Sequence, residues 1–217
     1  AFLQLFEQPK VARYLSHVAR HQAAGAASDP ALSHHVMRRR QDAASLGLCA
    51  FMADHRDVYI VSAVRTPIGC FQGALKSQTA VDLGVAAAKA AIERANIQPT
   101  DIQEALIGCV LQAQLGQSPA RQVALRAGCP PSTDATTVNK VCASGMKCVA
   151  LGAQSIRLGE NEVILAGGME SMSRAPYYLQ RGLMFGDASL SDAVLHDGLT
   201  DALSQQHMGQ CADQSAE

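Results

Sequence analysis

The sequence predicts an α/β fold, a mostly parallel sheet flanked by helices. Short apolar runs of strand length alternate with segments of helical periodicity, and the apolar runs lack the polar alternation of strands that face water. Parallel strands need crossover connections, which the helical segments supply. The chain is 48% hydrophobic with 4% aromatic residues, a composition typical of layers that pack through small side chains.

The first strand is predicted at residues 58–64, VYIVSAV, a β-branched apolar run. Arg65, Thr66 and Pro67 end this run, because proline cannot continue a strand ladder. We therefore expect a buried strand here.

A helix is predicted after Thr79, a good N-cap with Asp82 three positions later. Asn96 and Pro99 end it. Its apolar residues recur at helical spacing: Val81, Val85, Ala88, Ile92 and Ala95.

The same alternation continues along the chain. Residues 105–110 form a second apolar run, 119–127 a second helical segment, and 135–139 a short strand. Residues 163–166 (VILA) are apolar on both faces and predict a fourth strand. The order β, α, β, α, β, α, β implies the parallel sheet.

The third helix is predicted at residues 144–158, with Gly159 as its C-terminal stop. Its apolar residues fall on one face: Met146, Val149, Ala150, Ala153 and Ile156. After Gly168 the periodicity fades through Asp187, and this long excursion predicts a functional or subunit-contact loop.

Composition excludes several classes of partner. A net charge of −1 with 17% charged residues gives no field suited to nucleic acid or an anionic membrane surface. No apolar run is long enough to span a bilayer, so no membrane insertion is expected. The cysteines are odd in number, with no CxxC pair and no metal-ligand spacing, which predicts free thiols, a reducing compartment and no metal site.

Residues 1–57 differ from the rest of the chain. They carry seven Lys or Arg, five acids and five of the seven histidines. This basic, acid-poor composition is typical of a transit peptide and predicts a mitochondrial protein. The alternative is a poorly ordered or untranslated leader on a cytoplasmic protein.

A candidate nucleophile lies in the stretch 137–147, TVNKVCASGMK. Cys142 sits where a strand gives way to a helix, whose unpaired amides and dipole stabilise a thiolate. The small Ala143 and Gly145 let a substrate approach, and the same amides can bind an oxyanion formed at a thioester carbonyl. The alternative is a small buried side chain, the usual state of a free cysteine, which Cys148 fits.

Four segments resemble the N-terminal half of the thiolase family, in the same order. They are VSAVRTPIGCFQGAL (61–75), NKVCASGMK (139–147), AGGMESMS (166–173) and DGLTDALSQQHMG (197–209). The resemblance is closest to acetyl-CoA acetyltransferases, and NKVCASGMK is most similar to the mitochondrial acetoacetyl-CoA thiolases. It covers about residues 58–217.

The resemblance implies two-step acyl transfer between acetyl-CoA and acetoacetyl-CoA, with Cys142 as nucleophile and its own N–H in an oxyanion hole. It implies that Asn139 shapes the turn, that Met208 lines the acyl pocket, and that His207 lies near the pantetheine arm. Coenzyme A would be a substrate, no cofactor or metal would be required, and the complete protein would be a homotetramer.

The resemblance also divides the chain: a leader (1–57), the thiolase N-terminal domain core (58–172) and the start of the loop region (173–217). The family's Gly-His-Pro and Asn-Glu-Ala motifs and its second cysteine beside glycines do not occur in the sequence. We therefore expect an incomplete thiolase that is inactive alone. The alternatives are a non-catalytic truncated remnant, or another condensing enzyme of the superfamily, against which AGGMESMS argues.

Overall fold

The computed structural model describes residues 2–7, 57–182 and 185–216. Its main sheet has five strands in the order β2-β1-β5-β3-β4. These are β1 (Phe2–Glu7), β2 (Val58–Val64), β3 (Glu104–Gly108), β4 (Asp134–Val138) and β5 (Val163–Gly168). Strand β1 is antiparallel to both neighbours, and β3 is parallel to β4 and β5. The predicted mostly parallel α/β sheet is confirmed.

Strand β1 comes from the segment that the sequence assigned to a leader, where no strand was predicted. It pairs along its length with β2 and, over Phe2–Phe6, with β5. The register with β2 shifts between Gln4 and Leu5. Residues 8–56 lie outside the described part of the chain, so the transit-peptide interpretation and the domain boundaries stay predictions.

Three helices connect the strands: α1 (Ala80–Arg94), α2 (Pro119–Arg126) and α3 (Ser144–Leu158). The predicted N-cap of α1 is confirmed as a capping box. The Asp82 N–H donates to the Thr79 hydroxyl, and the Asp82 carboxylate accepts from the Thr79 N–H, both at 3.1 Å.

Helices cover both faces of the sheet. On one face α1 and α2 pack against β3 and β5 through side chains such as Ala88, Val123 and Ile107. On the other face α3 contributes Cys148 and Ile156 to a cluster whose further buried members are Leu106, Ile164 and Ala166. Alternate residues of one strand thus pack against helices on opposite faces of the sheet, which explains why the strand sequences are continuously apolar.

The face of α3 that packs on the sheet is not the apolar face grouped from the sequence. Its buried residues are Ser144, Cys148, Gly152, Ser155 and Ile156. Of the residues grouped on one face from the sequence, Ile156 is buried and Met146 is 73% exposed. Small residues face the sheet because the helix approaches the glycine-containing ends of β3 and β5 closely.

The chain after β5 forms short elements, as the loss of periodicity predicted. They are a 3₁₀ turn (Met172–Arg174), β6 (Tyr177–Tyr178), β7 (Ser191–Asp192), a π-helix (Val194–Leu199) and α4 (Met208–Ala216). Strands β6 and β7 form an antiparallel pair. The Tyr178 hydroxyl donates to Asp197, which also contacts the His196 ring at 2.7 Å. These contacts join the hairpin to the π-helix.

Candidate active site

Cys142 lies in the turn that connects β4 to α3. Strand β4 ends at Val138 and α3 begins at Ser144, so the cysteine stands two residues before the helix. Cys142 is exposed to solvent. The structure therefore places this sulfur at the strand-to-helix junction that the sequence indicated.

The turn around Cys142 is strained and held by side chains. Val141 has φ of 48°, a left-handed conformation that β-branched residues rarely adopt and that costs about 1–3 kcal/mol. The Val141 N–H donates to Asn139 Oδ1 at 3.0 Å. Ser144 Oγ accepts from the Lys140 N–H at 2.8 Å and donates to the Val141 carbonyl at 2.6 Å. These bonds fix the residue before the cysteine.

Glycines let the start of α3 approach the sheet. A Cβ on Gly108, the last residue of β3, would lie 2.6 Å from the Ser144 carbonyl carbon and 2.7 Å from the Gly145 nitrogen. A Cβ on Gly168, the last residue of β5, would lie 3.1 Å from the Gly145 Cα. The helix N-terminus is thus seated directly on the carboxyl ends of two parallel strands.

This arrangement favours negative charge beside Cys142. The first N–H groups of a helix have no carbonyl partner within the helix and carry the positive end of its dipole. Gly145 and Met146 lie in that first turn of α3. Amides in this position can stabilise the oxyanion that forms when a nucleophile attacks a carbonyl.

Cys142 opens into a pocket of about 560 Å³. Most of its lining is apolar, and a single carboxylate contributes to it. The lining residues that matter here are Val110, Leu111, Cys142, Met146, Glu170 and Met172. Such a pocket suits an apolar ligand group.

The neighbouring thiols are chemically different. Cys148 is fully buried in α3, and burial raises the pKa of its thiol to about 11. Burial, with the added effect of the Glu170 carboxylate, raises the pKa of Cys109 to about 12. Both are therefore neutral thiols at physiological pH, as the sequence suggested for Cys148.

Glu170 bridges two strand ends inside the pocket. Its carboxylate accepts from the Val110 N–H at 2.9 Å and from the Leu111 N–H at 3.2 Å. The Cys109 thiol lies 3.6 Å from one of the same oxygens. The residue follows β5, and its partners follow β3.

The structure brings some predicted residues together and leaves others apart. Asn139 bonds to the turn that carries Cys142. Met208 starts α4 and is 38% exposed, and His207 Nδ1 accepts from the Gly209 N–H at 3.0 Å. Met208, His207 and His196 do not line the Cys142 pocket. The substrate-binding roles of Met208 and His207 stay predictions.

Sequence reasoning gave no role to Glu170, to the Ser144 hydroxyl or to Gly108. A signal existed for each. Glu170 is an acid set among small and apolar residues two positions after a double glycine, and Gly108 lies within an apolar run. Ser144 lies within the first turn of the predicted helix. Only the topology shows that all three meet at one edge of the sheet.

No helix in the ranges 57–182 and 185–216 is long and apolar enough to cross a membrane. In the same part of the chain, no three His, Cys, Asp or Glu side chains group closely enough to hold a metal ion.

Residues 58–217 match the protein family described as thiolase, N-terminal domain. An acetyl-CoA acetyltransferase of Yarrowia lipolytica is 56% identical over 155 residues, 71% of this chain and 39% of that protein. The mitochondrial acetyl-CoA acetyltransferase of Mus musculus is 51% identical over 74% of this chain and 38% of that protein. A cytosolic acetyl-CoA acetyltransferase of Gibberella zeae is 55% identical over 75% of this chain and 42% of that protein.

A solved structure is also similar. The Acat5 thiolase from Ascaris suum, crystallised in complex with coenzyme A, superposes with a TM-score of 0.71 at 46% identity. The match covers 73% of this chain and 42% of that one. The chain thus spans about two fifths of the length of the relatives it matches.

Proposed function

Since the chain belongs to the thiolase family, we propose that it provides the nucleophile and the acyl pocket of an acetyl-CoA C-acetyltransferase. The observation that carries this proposal is the position of Cys142: exposed, before a helix N-terminus, and facing an apolar pocket. The relatives named acetyl-CoA acetyltransferase and the coenzyme A complex of the similar structure support the substrate class.

In the degradative direction the Cys142 thiolate attacks the ketone carbon of acetoacetyl-CoA. The resulting oxyanion lies near the first-turn amides of α3 and the Cys142 N–H. Its collapse breaks the C–C bond and releases the carbanion of acetyl-CoA, which takes up a proton. Cys142 keeps the acetyl group as a thioester.

A second coenzyme A completes the cycle. Its thiolate attacks the acetyl carbonyl on Cys142, which releases a second acetyl-CoA and restores the cysteine. In the synthetic direction acetyl-CoA loads Cys142 first, and the carbanion of another acetyl-CoA attacks the acetyl-enzyme. Neither direction requires a redox cofactor or a metal, and coenzyme A serves as substrate.

Both directions require a group that removes the thiol proton and a group that exchanges a proton with the second substrate. Neither His196 nor His207 lines the pocket. We therefore propose that these groups come from outside residues 57–216 in the active enzyme, and that the isolated chain transfers acyl groups slowly.

Assembly and location belong to the same proposal. Ile68, Phe71, Leu158 and Leu203 are large apolar side chains that are exposed in the isolated chain. This supports a homotetrameric complete protein and predicts that the isolated chain self-associates. Size-exclusion chromatography that finds a monodisperse monomer would contradict this prediction.

Mitochondrial location is supported by the basic composition of residues 1–57 and by the mitochondrial relatives, although cytosolic relatives are equally similar. A fluorescent protein fused behind residues 1–57 tests it. Accumulation in mitochondria supports the proposal, and diffuse cytoplasmic signal favours the alternative.

The test of function is acetyl transfer to the chain. The protein is incubated with acetyl-CoA, with and without imidazole as a substitute base, and acetylated peptides are mapped by mass spectrometry. We expect one acetyl group on Cys142 that imidazole increases. Cys142→Ala should abolish it, and Cys70→Ala, which removes another exposed cysteine, should not.

The non-catalytic alternative has an observation in its favour, because the pocket lacks a histidine. It predicts no acetyl group on Cys142 under either condition. Equal acetylation of Cys70 and Cys142 would likewise remove support for a dedicated site.

A further inference from the structure

We infer that Glu170 is a positioning residue that holds the wall of the Cys142 pocket against which the acyl chain packs. The inference rests on the proposed function, and it assigns a specificity role to a side chain that does not itself react. Four observations carry it.

Glu170 is the sole ionisable carboxylate among the residues that line this pocket, and it is half-buried. A charge in apolar surroundings is retained when hydrogen bonds satisfy it. Here one oxygen accepts from the Val110 N–H and the other from the Leu111 N–H. Because both oxygens already accept amide protons, the geometry favours an anchor over a general base.

The anchored residues belong to a segment without regular structure. Cys109, Val110 and Leu111 follow the end of β3, outside any strand or helix. Backbone bonds hold the edge of this segment and one carbonyl within it: the Cys109 N–H donates to Val138 at 3.0 Å, the Met169 N–H to Gly108 at 2.9 Å, and the Gln112 N–H to Val110 at 3.1 Å. Glu170 supplies the contacts to the two amides that come next.

The segment forms the wall facing Cys142. Val110 and Leu111 both line the pocket, and Leu111 is buried. A Cβ placed on Gly198 of the π-helix would lie 3.7 Å from Leu111 Cδ2, so the Leu111 side chain also reaches the far side of the pocket. Fixing the Leu111 backbone therefore fixes the surface that an acyl chain would contact.

Cys109 adds a further contact to Glu170. Its thiol lies within reach of the carboxylate, and burial together with the nearby negative charge raises the pKa of Cys109. A neutral thiol is a weak donor and adds a third contact to the same carboxylate. Glu170, which follows β5, thus contacts three consecutive residues after β3: Cys109, Val110 and Leu111.

The experiment measures the alkyl-chain preference of Cys142 without using acyl transfer, so it can fail independently of the proposed function. N-methylmaleimide and N-butylmaleimide are reacted with the whole chain, and labelling of each cysteine is followed by peptide mass spectrometry. N-acetylcysteine, reacted in parallel, gives the intrinsic butyl-to-methyl rate ratio, because Cys70 lines a second pocket that also contains Glu170. Cys148, fully buried, reports unfolding.

In the unaltered protein we expect the butyl-to-methyl ratio at Cys142 to exceed that of N-acetylcysteine by about fourfold for each methylene that packs on the wall, the equivalent of about 0.8 kcal/mol. Glu170→Gln replaces one acceptor with a donor facing an N–H group, so the wall loosens and the ratio falls towards that of N-acetylcysteine. The matched change Glu160→Gln, at an exposed residue after α3, leaves it unchanged.

An unchanged Cys142 ratio in Glu170→Gln, with Cys148 still protected, would overturn the inference. If Cys148 becomes reactive, the Glu170→Gln variant has unfolded, and Glu170→Asp is used to test the inference instead. Its shorter side chain keeps the charge but reaches only one of the two amides well. Its ratio must then lie below that of the unaltered protein. A ratio equal to the unaltered one overturns the inference.

Discussion

Replacing Gly108 with alanine should displace the start of α3 and loosen the site. The new Cβ would lie 2.6 Å from the Ser144 carbonyl carbon and 2.8 Å from its Cβ, whereas ordinary contacts begin at 3.4 Å. The helix start must retreat by roughly 0.8 Å, the difference between 3.4 and 2.6 Å, because the obstructing atoms are mainly backbone. Overpacking of this kind costs about 1–3 kcal/mol.

The displacement also strains the Cys142 turn. Ser144 Oγ bonds both the Lys140 N–H and the Val141 carbonyl, so moving Ser144 weakens the two contacts that hold the left-handed Val141. The stability lost should therefore appear first in α3, where Cys148 lies four residues further along.

Labelling of Cys148 measures this loss. A fully buried thiol reacts only after local opening, so its rate follows the opening equilibrium. A loss of about 1–3 kcal/mol predicts labelling about 5 to 150 times faster in Gly108→Ala. Gly198→Ala is the control, because its Cβ would meet only Leu111 at 3.7 Å. A Gly108→Ala rate within about twofold of this control would refute the reasoning.

Three further predictions concern reactivity and stability. At pH 8, iodoacetamide should modify Cys142 at least about a hundred times faster than Cys148, because fully buried Cys148 reacts only after local opening and about 2.7 kcal/mol of opening free energy gives this factor; peptide mapping that finds Cys148 first would contradict this. Hydrogen bonds from Thr79 and Arg126 lower the pKa of Asp82 from 3.8 to about 2, so its stabilising effect is present above pH 4 and lost as the pH falls towards 2. Lowering the pH from 4 to 2 should therefore lower the thermal unfolding midpoint less in Asp82→Ala than in the unaltered protein, as followed by circular dichroism, and equal acid sensitivity would count against the capping box. Deleting residues 1–7 removes the strand between β2 and β5 and should speed Cys148 labelling at least about tenfold through lost ladder bonds; an unchanged rate would show that β1 adds no stability.

The regular elements could be predicted because local signals and burial agree there. Residues 58–64 and 144–158 form the strand and helix that were predicted, and the Thr79 N-cap is present. The expectation that residues 58–64 form a buried strand was wrong, because β2 is an edge strand of the sheet and leaves Ile60 57% exposed. The other strands differ by one or two residues at their ends. Periodicity is reliable where a segment is buried on one or both faces of the sheet.

The errors came from contacts between segments distant in sequence. Strand β1 could not be predicted, because a single short run such as FLQLFE gains its place only from pairing with β2 and β5. The packing face of α3 was misassigned since Met146 faces the pocket and small residues face the sheet. Hydrophobicity alone cannot distinguish these two apolar surroundings.

The site was predicted in part. The position of Cys142 followed from a strand that ends before a helix, which is a local pattern. Glu170 lies 28 positions further along the sequence, and its partners Val110 and Leu111 come from another strand end. Parallel topology brings these ends to one edge of the sheet, and no local pattern encodes which side chains meet there.

We propose that Cys142 is a reachable nucleophile that reacts with a coenzyme A thioester. Competitive labelling with bromoacetyl-CoA and with iodoacetamide tests this proposal, since both reagents alkylate thiols and only the first carries coenzyme A. We expect Cys142 to be modified first, and its rate relative to exposed Cys70 to be higher with bromoacetyl-CoA. Equal relative rates with the two reagents, or earlier modification of Cys70, would contradict it.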